Sequence, residues 1–161
     1  MADLMTHALI GLTIGTILSW RYKKIGSPQI TLIMVGTTLP DLIRIGLVLD
    51  PVKIEQVLGI PFSWTPLHTT GGVLIIIALG SLLTVPKDRK LLFVSLILGA
   101  GSHLFLDVLL ITTSGYSYAL FWPLIDVRPY TPGFYLSTDV WPAMVSGTVA
   151  LLVRSADKVI G

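Results

Sequence analysis

Apolar residues fall in five stretches along this chain, at residues 4–20, 28–49, 68–85, 91–112 and 139–153, with two short and two long connections between them. A bilayer core is crossed by roughly 20 apolar residues of helix. The pattern therefore predicts an all-α fold: a polytopic membrane bundle of about five transmembrane helices. The first and last stretches are short, which predicts tilt or partial lipid exposure. Gly11 and Gly15 place small residues four apart on the first helix, a face that lets helices approach closely. Pro40 predicts a kink in the second, because a proline ring cannot continue the helical hydrogen-bond ladder.

Basic residues orient the bundle. Arg21, Lys23 and Lys24 fill the first connection, Lys87, Arg89 and Lys90 the third, and Arg154 and Lys158 the tail. The long second and fourth connections hold only Lys53 and Arg128. Cytoplasmic loops carry the excess of Lys and Arg, so the N-terminus is expected outside and the C-terminus in the cytoplasm. The first twelve residues lack a basic leader and a clear small-residue cleavage site, so the first stretch reads as a retained helix.

Composition agrees. Only 12% of the 161 residues are charged, against about 25% in soluble domains, and the mean hydropathy is +0.82. One integral-membrane domain over residues 1–161 is expected at this length. The balance of 11 basic and 9 acidic residues excludes a nucleic-acid surface as the organising feature. With no cysteine there is no disulfide, thiolate metal site or cysteine nucleophile.

Against that apolar background a few polar residues stand out. His103 and Asp107 are four apart in the fourth stretch, so they share one helix face. A charge at such depth costs about 2.5–3.5 kcal/mol on insertion scales and needs a partner. His7 sits at the outer end of helix one, Asp41 and Arg44 in the outer half of helix two, His68 at the start of helix three and Asp139 at the start of helix five. The orientation rests on Lys and Arg alone, so the gathering of three histidines and these aspartates on the outer side is a separate result. The outer connection 113–138 adds Tyr116, Tyr118, Phe121, Trp122, Tyr130, Phe134 and Tyr135, half of the chain's aromatics. Such residues favour the headgroup level, so this loop is expected to lie on the bilayer or to fold back over the bundle.

Imidazoles and carboxylates without thiolates suit zinc, manganese or iron. A divalent cation would neutralise Asp41 and Asp107 and occupy the imidazoles, and an open position would hold a water acidified towards pH 7. Simpler roles compete residue by residue. A lone histidine in a bundle can hydrogen-bond a neighbouring helix, and Asp41 can pair with Arg44 three residues on. Asp139 can cap the last helix or orient a ligand histidine as an outer-sphere acceptor. The loop aromatics can be interface anchors.

With these residues in view the chain resembles the YdjM-type family of membrane-bound metal-dependent hydrolases, which have a distant likeness to zinc-dependent phospholipase C enzymes. The matching pieces are Met5-Thr-His7, Leu39-Pro-Asp41, His68-Thr-Thr70, His103-xxx-Asp107, Gly115, and Phe121-Trp-Pro-Leu124 with Arg128 after it. The resemblance implies a hydrolase of a prokaryotic cytoplasmic membrane, with zinc as the first metal and manganese or iron as alternatives. Its metal ligands would be His7, Asp41, His68, His103 and Asp107. The chain departs from the family's pattern in having Asp41-Leu-Ile-Arg44 in place of a longer acidic cluster, and Trp64-Thr-Pro-Leu-His68 in place of an His-Arg-Gly-x-Thr-His element.

The leading expectation is hydrolysis of a lipid or lipid-linked phosphate ester at the outer interface by a metal-activated water. Asp41, His103 and Asp107 form the catalytic set, and Arg44, Arg128 and Trp122 form the substrate-binding set. Membrane lipid is then both environment and substrate. Two other classes compete: a metal-ion or proton transporter using the same cluster, and a non-catalytic membrane assembly or binding protein. Transport expects polar residues continuing inward, where this chain has only small hydroxyls such as Thr31, Ser81 and Ser95.

Overall fold

A computed structural model describes residues 4–117 and 119–160. Tyr118, one of the loop aromatics, lies outside the described residues. The elements are α1 (Leu4–Arg21), α2 (Ser27–Gly36), a 3₁₀ segment (Pro40–Leu47), α3 (Pro51–Leu58), a 3₁₀ turn (Thr65–His68), α4 (Thr70–Leu82), α5 (Pro86–Val108) and α6 (Trp141–Ile160). The architecture is all-helical, as the apolar pattern predicts. Of the described helices, α5 alone is long and apolar enough to cross a bilayer unaided, and α2 with the 3₁₀ segment after it passes the same test as a pair bent by 52°.

Local chemistry sets these boundaries. Gly26 N–H donates to the Gln29 side chain at 3.0 Å, capping the start of α2. The helix stops at Gly36 because Pro40 has no N–H to return to the Gly36 carbonyl, and its ring crowds that oxygen. Asp41 N–H consequently turns back three residues, to the Thr38 carbonyl at 3.1 Å, and leaves the Thr37 carbonyl free for a tertiary partner. Pro86 sits in the first turn of α5, where a missing N–H costs nothing. That helix therefore starts five residues before the apolar stretch expected from residue 91. Arg89 seals the preceding corner by donating to the Thr84 and Leu82 carbonyls at 3.0 and 3.1 Å.

Two further differences have similar causes. α6 continues past Val153, its charged end tied to α1 by Trp20 Nε1 donating to Asp157 at 2.8 Å. α3 lies where only a loop was expected. The Asp50 carboxylate accepts from Val52 N at 2.9 Å, Pro51 opens the helix, and Gly59 at φ 68 closes it.

In the bundle α1 packs between α6 and α2, while α5 packs on α2, α4 and α1. Association in a membrane relies on close fit more than on apolar burial, and glycines provide that fit. A Cβ at Gly99 would collide with the Ile33 carbonyl, and one at Gly36 with the Leu96 carbonyl. A Cβ at Gly11 would lie 2.9 Å from Thr37 Cγ2, and one at Gly15 3.1 Å from Ile30 Cα. The small face of α1 is therefore the one that meets α2. Val73, Ile77, Leu96 and Ala100 form the buried apolar core between α4 and α5.

Connectivity places the start of α1, the end of α2, the start of α4, the end of α5 and the start of α6 at one end of the bundle. The basic connections fall at the other. The loop after α5 folds back over the first end. Leu110 bridges Tyr135, and Tyr116 bridges Tyr130. The first free N–H groups of α4 are taken by this loop, Thr70 N to Leu120 O at 2.7 Å and Gly71 N to Trp122 O at 3.1 Å.

Candidate metal centre

The five residues singled out in the sequence converge at the loop-covered end. His7 comes from the second turn of α1, Asp41 from the 3₁₀ segment beyond the α2 break, and His68 from the turn before α4. His103 and Asp107 are one helical turn apart near the end of α5. All three histidines have 0% relative exposure, Asp41 7% and Asp107 4%. The His7 and His103 rings stack with centroids 3.9 Å apart, and His68 stands edge-on to His103 at 5.4 Å.

Backbone carbonyls orient two of the rings. His103 Nδ1 lies 2.6 Å from the Thr37 oxygen, and His68 Nδ1 lies 3.0 Å from the Pro40 oxygen. A carbonyl only accepts, so each Nδ1 carries the proton and donates it, and each Nε2 is aimed inward. The break at Pro40 is what frees the Thr37 oxygen. One proline thus ties helix geometry to ring orientation.

At the centre, Asp107 Oδ2 lies 2.8 Å from His68 Nε2 and 3.4 Å from His103 Nε2, and Oδ1 lies 3.6 Å from His7 Nε2. Both nitrogens of His68 therefore face oxygen acceptors. Two ligand atoms each about 2.0–2.1 Å from a tetrahedral cation stand roughly 3.4 Å apart, close to the other two separations. The group His7, His103 and Asp107, and the group Asp41, His68 and His103, each bring one ligand atom per residue within 4.8 Å of one another.

The buried polar atoms that lack hydrogen bonds point the same way. Among the described residues these include both ring nitrogens of His7, His103 Nε2 and Asp41 Oδ1. Each such atom costs about 1–3 kcal/mol when buried without a partner. His7 Nε2 and His103 Nε2 still face the Asp107 carboxylate at 3.6 and 3.4 Å, so the full penalty falls on His7 Nδ1 and Asp41 Oδ1, and a bound cation would engage Asp41 and the Nε2 atoms together. The donor set, all imidazole and carboxylate, fits zinc, manganese or iron.

The remaining sequence candidates divide. Arg44 Nη2 lies 3.1 Å from Asp41 Oδ2, so the i,i+3 pair does form and Arg44 braces a cluster residue. Arg128 is exposed and lines a cavity of about 420 Å³ that reaches Asp107, together with Thr65, Thr112, Tyr116 and Ser117. Ser117 Oγ is buried in that region without a hydrogen-bond partner. Trp122 is 41% exposed and is not among the residues lining this cavity. Its carbonyl instead holds the start of α4. Asp139 accepts from Leu136 N at 2.8 Å, which closes the turn before α6 and accounts for its carboxylate without a ligand histidine.

Sequence reading missed the contribution of Tyr135. Its hydroxyl donates to the Leu106 carbonyl at 2.9 Å beside the cluster. Burial, and secondarily the Asp107 carboxylate, push its phenol up to about 12, so it stays protonated. Nothing separates it from its neighbours in the aromatic loop until the Leu110–Tyr135 bridge is seen.

No curated protein and no solved structure matches the chain. A family model does, over residues 1–160, in agreement with the resemblance carried by the short histidine and aspartate motifs. The chain belongs to the YdjM inner membrane protein family and is an inner-membrane protein.

Proposed function

We propose that this protein is a membrane-embedded, metal-dependent hydrolase of a lipid or lipid-linked phosphate ester. In this reading five helices cross the membrane: α1, α2 with its 3₁₀ extension, α4, α5 and α6. The N-terminus faces out, and the site opens near the outer interface. The observation that carries the proposal is the convergence of three buried imidazoles and two buried carboxylates, with Asp107 also lining a cavity walled by Arg128.

His7, Asp41, His68, His103 and Asp107 would hold the cation. When bound, it supplies Lewis acidity and a water acidified to near-neutral pKa, the chemistry that ester hydrolysis requires. The protein's own residues do the rest. The Thr37 and Pro40 carbonyls hold two imidazoles in the ligating tautomer. Arg128 offers a planar fork of donors to the phosphate oxygens. Asp107, shared among three histidines, keeps their Nε2 atoms converged.

A transport role finds less support. The hydroxyls towards the basic end bond back within their own helices, Thr31 to Ser27 O, Ser81 to Ile77 O and Ser95 to Leu91 O. They offer no polar file away from the cluster.

The test is elemental analysis of detergent-purified wild type and His103→Ala, followed by phospholipid cleavage with added divalent metals. Near-stoichiometric transition metal in the wild type, lost in the variant, is expected. Absence of metal after reloading, or no cleavage of any phosphate-ester lipid, overturns the reading.

A further inference from the structure

A second cavity, of about 400 Å³, lies between α1, α5 and α6. Thr6, Ile10 and Ile14 line it from α1, and Trp141, Val145 and Val149 from α6. Each set spans nine residues of helix, eight steps of rise, so the cavity is a groove about 12 Å long, parallel to both helix axes. Its upper end is walled by Leu106 and Tyr135, next to the cluster: Thr6 precedes His7, and Leu106 precedes Asp107.

Three of the groove's polar side chains are already engaged. Thr13 Oγ1 donates to Leu9 O at 2.9 Å, Ser146 Oγ to Ala143 O at 3.1 Å, and the Tyr135 hydroxyl to Leu106 O at 2.9 Å. The rest of the lining is mainly aliphatic and aromatic, in a protein of the inner membrane. On the other side of the Leu110–Tyr135 bridge lies the polar cavity with Arg128 and Asp107. An apolar trough along the helices beside a hydroxyl-lined recess that carries Arg128 as well as Asp107 is the imprint of an amphiphile with a phosphate head.

We propose that the α1–α6 groove binds one acyl chain of a phosphate-bearing membrane lipid whose phosphate occupies the Arg128 recess. This rests on the hydrolase reading for the site beside it and names the part of the substrate that site alone does not recognise. A chain held here lies along its normal direction in the bilayer, so docking requires no removal from the apolar phase. Selectivity then comes from the phosphate.

The experiment is photocrosslinking in phospholipid vesicles. The protein is kept metal-free with chelator, so turnover plays no part. Two probes carry the same diazirine acyl chain, one a phospholipid and the other a neutral diacylglycerol. Mass spectrometry is expected to place phospholipid adducts on Ile14 and Val149 at least fivefold above those on lipid-facing Leu151. Ile10→Trp, which fills the groove, should remove this excess. Val145→Trp narrows the groove from its exposed wall and serves where the first variant fails to fold. Arg128→Gln should lower phospholipid adducts in the groove and leave diacylglycerol adducts unchanged. Adducts spread evenly over groove and outer faces mean boundary lipid only and overturn the proposal. Groove labelling without hydrolysis in the metal-loaded protein would sink the hydrolase reading alone, and hydrolysis without groove labelling would sink this one alone.

Discussion

Pro40→Ala isolates the link between helix geometry and metal affinity. Alanine restores the N–H that proline lacks and removes the ring that crowds the Gly36 carbonyl, so α2 can extend across the 52° bend. An extended helix draws Asp41 N–H from Thr38 O to Thr37 O, the acceptor that holds His103 Nδ1 at 2.6 Å. It also moves Asp41 itself. Losing a partner that orients a ligand histidine costs about 10–100-fold in metal affinity, or roughly 1.4–2.7 kcal/mol. The upper part of that range is expected, because a ligand is displaced as well. Competition with a chelator of known affinity reads the change, and circular dichroism reads the added helix. Pro40→Gly, which restores the N–H but disfavours helix, should lose less affinity. Increased helicity with wild-type metal affinity would refute the idea that the break positions the ligands.

Other outcomes follow from the same geometry. Gly99→Ala forces apart the α2–α5 crossing at the Ile33 carbonyl, so thermal unfolding in detergent should show a loss of about 1–3 kcal/mol. Arg128→Ala should raise KM for phosphate-bearing lipids while leaving metal content at the wild-type level. Chelation should lower the melting temperature, since a ligand at 100 times its Kd contributes about 2.7 kcal/mol. A metal-free protein that melts like the loaded one argues against a held cation. Because the chain has no cysteine, single substitutions report orientation directly. Lys53→Cys should react with an impermeant thiol reagent on intact cells, and Lys23→Cys only after permeabilisation.

The all-helical character and the end at which the polar residues gather were legible in the sequence alone. Helical register puts His103 and Asp107 on one face, Pro40 marks a break, and alternating connections carry every long-range candidate to the same end, whereas the start of α5 at Pro86 was missed by five residues. These are short-range rules of period and capping, so they need no tertiary information. The small face at Gly11 and Gly15 was legible for the same reason. The signal for α3 in Asp50, Pro51 and Gly59 was not read, because the segment's polarity made it a loop.

Only the tertiary structure decided which polar residues meet. Arg44 turns to Asp41, Asp139 turns to the Leu136 N–H, and Trp122 serves the start of α4 through its carbonyl. The acceptors that set the histidine tautomers are main-chain atoms of Thr37 and Pro40, which no side-chain identity announces. The separation of a polar recess from an apolar groove depends on the loop after α5 folding back to place Tyr135 beside Leu110. Sequence patterns report each helix's own periodicity, whereas a site is made of distances between helices. Those distances depend on how closely backbones approach, here where glycines let α2 rest directly on α5.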